Sequence, residues 1–166
     1  NAKIIIISHV GRPKGKFKSE LSLQPIRDNL SSQFNENVKL EKANIFSLTT
    51  DELFKGADEK LIILENIRFY PEEENNNEKF SKHLAKLGDI YVNDAFSCSH
   101  REHASVTSIT KFIPSYSGLQ INSEVEALKK ITTEIKKPIT CIIGGSKIST
   151  KIDIVKNLIP KFDNIV

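Results

Sequence analysis

Three arginines each follow a short apolar segment, at the point where a buried strand is expected to end. They are Arg12, Arg68 and Arg101. The planar guanidinium group of arginine binds a phosphate or a carboxylate through two parallel hydrogen bonds. Several such cations at one edge repel one another unless an anion joins them. The pattern therefore predicts a site for a small phosphorylated or carboxylated anion. The alternative is a set of surface arginines that are each solvated alone.

A second stretch with the residue types of a phosphate site, "CIIGGSKISTK", runs from Cys141 to Lys151. A predicted strand ends at Gly144 and Gly145, and a predicted helix follows with Lys147 and Lys151 on one face of its first turns. Free backbone N–H groups and the dipole at such a helix N-terminus favour phosphate. The stretch is not a Walker A loop, because it lacks that motif's second glycine and the lysine after it. Its position between a strand and a helix is what indicates phosphate binding.

Short apolar segments bounded by turn residues predict the strands that position these side chains. Each segment is apolar on both sides of the pleat, which is typical of a strand covered on both faces. The predicted strands are Ile4–Ser8, Lys60–Leu64, Ile90–Val92 and Ile139–Ile143, with Val38–Leu40 as a weaker candidate. Ligands bind outside the carboxyl ends of the strands in open parallel sheets. The residues that follow these strands are therefore expected to meet at one edge.

Helical patterns lie between the predicted strands. Ser22 can cap a helix with Pro25 in its first turn, and Thr49 with Glu52 has the spacing of a capping box. Further amphipathic patterns contain Phe80, Leu84 and Leu87, then Val125, Leu128, Ile131 and Ile135, then Ile152, Val155 and Leu158. The alternation of strand and helix predicts a parallel sheet with helices on both faces, a Rossmann-like three-layer α/β fold.

The composition changes between residues 114 and 138. Proline, serine and glycine mark a break, a polar amphipathic helix follows, and a fresh apolar strand begins after Pro138. We therefore expect one α/β domain over residues 1–120, a connecting helix over 121–137 and the first strand–helix unit of a second α/β domain over 138–166. The polar run "EEENNNE", from Glu72 to Glu78, is expected to be a solvated loop that leads into a helix.

The overall composition argues against several functional classes. There are 24 basic and 21 acidic residues, and the net charge of +3 is too mild to indicate a general nucleic-acid binder. No apolar run approaches the roughly 20 residues that span a bilayer, and no signal peptide is visible. The chain has two cysteines, far apart in sequence, so we expect a reducing, cytoplasmic location. His100 and His103 alone make a weak metal pattern, and no metal ligand is predicted.

Both ends of the chain are unusual. Methionine is absent throughout, and the last residues, "FDNIV", read like a strand that is just beginning. We therefore expect a piece of a longer protein that is cut at both ends.

Four stretches, taken together, identify a family. "SHVGRPKGK", "LIILENIRFYPEEE", "LGDIYVNDAFSCSHREHAS" and "IIGGSKISTKI" occur in the same order as the signatures of phosphoglycerate kinase, which the chain resembles over essentially its whole length. The resemblance implies two domains that flank a cleft. The N-terminal domain, here residues 1–120, would bind 3-phosphoglycerate or 1,3-bisphosphoglycerate. The C-terminal domain, which begins at 138–166, would bind ADP or ATP with Mg²⁺.

The resemblance also implies roles for individual residues. The substrate-binding residues would be His9, Val10, Gly11, Arg12, Arg68 and Arg101. Gly144, Gly145 and Lys151 would bind the nucleotide, and Lys147 would follow the transferring phosphoryl group as a catalytic residue. The sequence departs from the family's pattern at residues 97–99, at Ser146 and at Thr150, but none of these departures removes a charged ligand.

The activity that the resemblance implies is reversible phosphoryl transfer between 1,3-bisphosphoglycerate and ADP, which gives 3-phosphoglycerate and ATP in glycolysis. Mg²⁺ would come with the nucleotide and would not be bound directly by these residues. The full-length enzyme is expected to be a monomer that binds neither nucleic acid nor membrane. The chain alone is expected to be inactive, because both half-sites are incomplete. The alternatives are a non-catalytic anion-binding module and a nucleic-acid-binding domain.

Overall fold

A computed structural model describes residues 2–56, 60–144 and 152–166 of the chain. The chain divides into two compact units, Asn1–Ser117 and Gly118–Val166.

The first unit is built on a parallel sheet of three strands. They are β1 (Ile4–Ile6), β2 (Val38–Glu41) and β3 (Leu61–Leu64), and β3 lies between the other two. In the register, Ile62 of β3 lies beside Ile5 on one side and Lys39 on the other. The predicted parallel sheet is therefore confirmed for these strands.

Side chains of β3 point alternately to the two faces of the sheet, and helices cover both faces. Ile62 packs in a core with Phe80 and Leu84, whereas Ile63 packs with Leu23 on the opposite face. All five of these side chains are 3% exposed or less. A strand that is buried on both faces reads in sequence as a continuous apolar run, and "LIIL" is such a run.

Four α-helices lie in the described residues of this unit. They are α1 (Gln24–Phe34), α2 (Thr50–Leu53), α3 (Pro71–Glu74) and α4 (Glu78–Ala85). The capping box that the spacing of Thr49 and Glu52 predicts is present at the start of α2. Ser22 lies one residue before the N-cap of α1, and its hydroxyl accepts a hydrogen bond from the backbone N–H of Gln24 at 3.2 Å.

A second, separate pair of strands completes the unit. β4 (Tyr91–Asn93) and β5 (Ser115–Ser117) are parallel, with Val92 beside Tyr116. The sequence did not indicate β5, because its three residues are all exposed and carry no apolar pattern. Backbone pairing with β4 alone makes this segment a strand.

A cavity of about 940 Å³ separates the two sheets. One wall is the edge of β1 that does not pair with β3, together with the residues that continue it to His9. The opposite wall is the segment from Ile90 to Ala95, which contains β4. The carboxyl ends of β1 and β4 therefore both open onto this cavity.

The prediction of a solvated loop at residues 72–78 is wrong. The segment forms α3 and the start of α4, where the side chain of Asn77 accepts a hydrogen bond from the N–H of Phe80 at 3.0 Å. Glu73 is 2% exposed. Its carboxylate lies buried because it accepts hydrogen bonds from a distant part of the chain, which the polar composition of the run does not indicate.

The second unit alternates helix and strand. Its elements are α5 (Leu119–Thr132), β6 (Thr140–Cys141), α6 (Ile152–Leu158) and β7 (Asn164–Ile165). β6 and β7 are parallel, so the final residues do form a strand, as their pattern indicated. None of the helices in the described residues is long and apolar enough to cross a membrane.

The helix predicted over 121–137 begins and ends earlier than its pattern indicated. Near the end of α5, the hydroxyl of Thr132 donates to the carbonyl of Leu128 at 2.7 Å, and that of Thr133 donates to the carbonyl of Lys129 at 2.9 Å. Such bonds compete with helix propagation, and β-branched residues also disfavour it. Ile135 consequently lies beyond the helix.

The glycine-rich loop after β1 depends on backbone conformations that side chains rarely adopt. Gly15 has φ +68°, and a Cβ added to it would lie 2.8 Å from the Cβ and 3.0 Å from the Cα of Pro71. Its N–H donates to the carbonyl of Arg68 at 3.2 Å. The loop can therefore approach the start of α3 only because residue 15 has no side chain.

We predict that Gly15→Ala lowers the free energy of unfolding of the first unit by at least about 1–2 kcal/mol, the cost of a left-handed conformation for a residue with a Cβ. The matched control is Gly88→Ala, whose added Cβ would have its nearest contact at 3.8 Å and whose φ is not in the left-handed region. The control should stay within about 0.5 kcal/mol of the unsubstituted chain. The measurement is urea unfolding followed by tyrosine fluorescence, since all three tyrosines lie in this unit and the chain has no tryptophan. Equal effects of the two substitutions would contradict the prediction.

Candidate anion-binding site

Arg68 is a buried cation whose hydrogen-bonding capacity is only partly used. It lies in the 3-10 turn Ile67–Phe69 that follows β3, and it is 4% exposed. One terminal nitrogen donates to the carbonyl of Gly11 at 3.1 Å. Its Nε is buried without a hydrogen-bond partner in the described structure, and it lies 3.9 Å from the carboxylate of Glu74, which is too far for a hydrogen bond. A buried charge with an unused donor is costly unless a ligand pairs with it.

Asn66 fastens the glycine-rich loop to the end of β3. It is fully buried, and its side-chain amide donates to the carbonyls of Val10 at 2.9 Å and Leu21 at 2.8 Å. Its side-chain oxygen accepts from the N–H of Arg68 at 3.1 Å. The same residue therefore fixes the backbone of the loop and the turn that carries Arg68.

Glu65 performs a similar task for the start of α1. Its carboxylate accepts hydrogen bonds from the hydroxyl of Ser22 at 2.7 Å, the N–H of Leu23 at 2.8 Å and the N–H of Asn66 at 2.8 Å. Partial burial raises the pKa of this carboxyl, but the hydrogen bonds outweigh the effect of burial and hold the pKa of Glu65 below its usual value. The carboxylate is therefore ionised at neutral pH and structural.

Two histidines lie beside the buried arginine. Burial lowers the pKa of His9, and the positive charges of Arg68, Arg101 and His103 lower it further. Burial also lowers the pKa of His103, with Arg68 again the largest electrostatic cause. His9, Arg68 and His103 all line the cavity. The structure therefore brings His9, Arg68, Arg101 and His103 into one positively charged cluster, which we call the basic cluster.

The remaining residues predicted from the first motif have other places. Val10 is 38% exposed, and its carbonyl is occupied by Asn66. Gly11 has φ +66° and takes part through its carbonyl, which Arg68 holds. Arg12 is exposed, and the main charges that act on the pKa values of His9 and His103 belong to other residues. Arg12 is thus the one predicted arginine that the described structure does not place in the basic cluster.

Glu73 is a member of this site that sequence reasoning missed. Its carboxylate accepts from the hydroxyl of Ser105 at 2.6 Å and from the N–H of Ser105 at 2.9 Å. It also lies 3.6 Å from Nδ1 of His103 and lines the cavity. Its neighbours in sequence, Glu72 and Glu74, are also glutamates, so residue type alone could not single it out.

Comparison with known proteins decides the family of the chain. The family model described as "Phosphoglycerate kinase" matches residues 1–166.

The chain belongs to the phosphoglycerate kinase family.

The relatives in this family cover the chain almost completely. A phosphoglycerate kinase from Wolbachia sp. subsp. Brugia malayi is 48% identical over 165 residues, which is 99% of this chain and 41% of the relative. The phosphoglycerate kinase from Bartonella bacilliformis is 43% identical over 165 residues, with the same coverage. This chain therefore spans about two fifths of the length of the curated relatives that it matches.

Solved structures of phosphoglycerate kinases have the same fold over the matched part. The structure from Coxiella burnetii is 36% identical, has a TM-score of 0.83, and is matched over 99% of this chain and 41% of its own. The structure from Pyrococcus horikoshii is 27% identical with a TM-score of 0.83 and is matched over 42% of its own chain. These comparisons confirm the family resemblance and the α/β fold.

The residues predicted to bind the nucleotide of a phosphoglycerate kinase fall mostly outside the described residues. Gly145, Lys147 and Lys151 lie there. Gly144 is described, is exposed, and follows β6; a Cβ added to it would meet no atom within 4 Å. Among the described residues, no atom therefore crowds the space that a side chain at position 144 would fill.

The described residues contain no group of three or more histidine, cysteine, aspartate or glutamate side chains that could hold a metal ion. The cysteines of the described structure, Cys98 and Cys141, are both unpaired.

We predict that Arg101→Gln raises the pKa values of both His9 and His103, because the substitution removes a positive charge that disfavours both imidazolium forms. Arg12→Gln is the matched control and should leave both pKa values unchanged. The measurement is a pH titration of the histidine ring resonances by NMR spectroscopy. An equal response to the two substitutions would show that Arg101 has no special proximity to the histidines.

Proposed function

We propose that this chain is the part of a phosphoglycerate kinase that binds the phosphoglycerate and begins the nucleotide-binding domain. The reaction of the whole protein is reversible phosphoryl transfer between 1,3-bisphosphoglycerate and ADP, which gives 3-phosphoglycerate and ATP. The proposal follows from family membership together with the charge of the basic cluster.

The observation that carries the proposal is the state of Arg68. Its side chain is 4% exposed, and its Nε has no hydrogen-bond partner in the described residues. Arg101 adds positive potential beside the two histidines that lie near it. The phosphate or the carboxylate of a phosphoglycerate supplies a further negative charge and an acceptor oxygen for the unused Nε of Arg68.

The lowered pKa values of the histidines fit the binding of an anion. At neutral pH the imidazoles of His9 and His103 are mostly uncharged in the free site, so that they donate hydrogen bonds without adding to the repulsion among the arginines. A bound anion raises the pKa of each histidine, because an opposite charge nearby favours the imidazolium form. The site therefore becomes more positive as the ligand enters.

The chemistry asks little of the protein beyond positioning and charge neutralisation. In the proposed assignment, the substrate contacts come from the sequence-predicted residues His9, Val10, Gly11, Arg12, Arg68 and Arg101. Gly144, Gly145 and Lys151 bind the nucleotide, and Lys147 follows the transferred group. Mg²⁺ brought in with the nucleotide would supply positive charge that neutralises the phosphates.

The domain boundaries and the setting of the protein are part of the proposal. Residues 1–120 form the substrate-binding domain, 121–137 connect the domains, and 138–166 open the nucleotide-binding domain. The whole protein is proposed to be cytoplasmic and monomeric, with no nucleic-acid or membrane partner.

The proposal predicts that the chain binds 3-phosphoglycerate and that Arg101→Gln weakens this binding by about tenfold or more, the loss expected for one charged hydrogen bond. The control is Arg27→Gln, since Arg27 pairs with Asp28 on α1. Isothermal titration calorimetry with the 166-residue chain gives the affinities. Binding that Arg101→Gln and Arg27→Gln weaken equally would contradict the proposed site. Tighter binding of a nucleic-acid oligomer than of 3-phosphoglycerate would favour the nucleic-acid alternative.

We further predict that the 166-residue chain has negligible kinase activity, because it spans only about 41% of its relatives. A coupled assay of ATP formation from ADP and 1,3-bisphosphoglycerate measures this directly, with an intact phosphoglycerate kinase as the positive control. Robust turnover by the chain alone would contradict the prediction that both half-sites are incomplete.

A further inference from the structure

Glu73 joins two motifs that are far apart in sequence. It lies five residues after Arg68, in α3, and it is 2% exposed. Its backbone carbonyl accepts from the N–H of Ala104 at 2.9 Å. Its two carboxylate oxygens accept from the hydroxyl and the N–H of Ser105 at 2.6 and 2.9 Å. Three hydrogen bonds therefore connect this one residue to the stretch Ala104–Ser105.

Two other elements also form hydrogen bonds with Ala104 and Ser105. The hydroxyl of Ser81 in α4 donates to the carbonyl of Ala104 at 3.1 Å, and the hydroxyl of Tyr91 in β4 donates to the carbonyl of Ser105 at 2.7 Å. Burial, followed by the nearby charge of Glu73, raises the pKa of Tyr91 to about 12, so its hydroxyl remains a donor. Among these partners, only Glu73 belongs to the segment that also carries Arg68.

Ala104 and Ser105, to which Glu73 is hydrogen-bonded, belong to the stretch that carries His103 and Arg101. His103 directly precedes Ala104, and Arg101 lies two residues earlier. Nδ1 of His103 lies 3.6 Å from the Glu73 carboxylate. Burial raises the pKa of Glu73 and lowers the pKa of His103, so burial disfavours the charged form of each group, and the contact between them is too long for a hydrogen bond. Glu73 therefore acts on His103 chiefly through geometry.

We propose that Glu73 is a positioning residue that fixes His103 and Arg101 beside Arg68. It thereby assembles the anion site from the stretch that carries Arg68 and the stretch that carries Arg101. The effect of Glu73 on ligand affinity rests on the proposed binding of phosphoglycerate. Its effect on the position of His103 and Arg101 does not depend on that proposal.

The two donors of Ser105 explain why the residue at position 73 is a glutamate. A carboxylate offers one acceptor oxygen to each donor. A glutamine keeps one acceptor for the N–H and can donate its own amide hydrogen to the hydroxyl, which also accepts. An alanine leaves the N–H of Ser105, a residue that is 9% exposed, without a partner. Glutamine should therefore preserve the geometry, and alanine should not.

The first test needs no ligand. In the 166-residue chain, Glu73→Ala is expected to raise the pKa of His103 toward the ordinary value of 6.5, because the histidine moves away from Arg68 and into water. Glu73→Gln should keep the pKa of His103 lowered. Glu72→Ala, on the same short helix, is the matched control. The pKa values come from the NMR titration of the histidine rings, and tyrosine fluorescence checks that each variant is folded.

The second test measures the affinity for 3-phosphoglycerate by calorimetry. Glu73→Ala should weaken binding by about tenfold or more, as for a displaced charged hydrogen-bonding group, whereas Glu73→Gln should restore it to within about threefold of the original chain. A purely structural role would give parallel losses of stability and no rescue by glutamine. If Glu73→Ala does not fold, Ser105→Ala takes its place. Ser105→Ala removes the hydroxyl donor alone and should raise the pKa of His103 and weaken binding by a smaller factor.

The outcomes separate this inference from the proposed function. An unsubstituted chain that does not bind 3-phosphoglycerate, with a pKa of His103 that still responds to Glu73→Ala, would contradict the proposed function and support the positioning role. Folded Glu73→Ala or Ser105→Ala variants with an unchanged pKa of His103 and unchanged affinity would overturn the inference.

Discussion

The side chains of the turn after β3 are the constraint on which the rest of the site depends. Asn66 is fully buried and donates to the carbonyls of Val10 and Leu21 in the segment after β1. Arg68 donates to the carbonyl of Gly11 in the same segment. A loop rich in glycine and proline has few internal contacts that define its conformation. Hydrogen bonds from a rigid, buried strand end supply that definition, because β3 is fixed by packing on both faces of the sheet. The core thus determines where the loop that carries His9 lies.

The same arrangement explains why a cluster of cations is tolerated. Arg68 contributes the positive charge of its guanidinium group. His9 and His103 respond to that charge by losing their protons more readily, and burial acts in the same direction. The repulsion in the free site is therefore smaller than a count of basic residues indicates. Neutral imidazoles also remain hydrogen-bond donors, so the site keeps its ability to recognise oxygen atoms.

The parts of the molecule that sequence predicted are those with local causes. The isoleucines and leucines of β1 and β3 alternate between two cores, and the capping box at Thr49 and Glu52 lies within one helical turn. β5 and the burial of Glu73 have partners that are distant in sequence. The exposed residues of β5, "SYS", carry no apolar pattern. Glu73 has the same residue type as its neighbours in sequence, Glu72 and Glu74. Physical causes that act between distant segments leave no signal in a short window of sequence.

The arginines illustrate the same limit within the site. The three arginines stand at equivalent positions after strands, so the sequence predicted that all of them would converge. Arg68 and Arg101 do act on the pKa values of His9 and His103. Arg12 is not placed in the basic cluster. The strand order places the ends of β1 and β3 side by side, but the direction of an individual side chain depends on the loop.

Glu74 shows how the free site balances its charges. It lies 3.9 Å from Nε of Arg68, and its negative charge raises the pKa values of both His9 and His103, against the effect of the arginines. Its side chain is 36% exposed, so water screens the attraction and the stabilisation is small. Glu73 is the second carboxylate that Arg68 acts on, and Nε of Arg68 keeps no hydrogen-bond partner in the described residues despite both carboxylates.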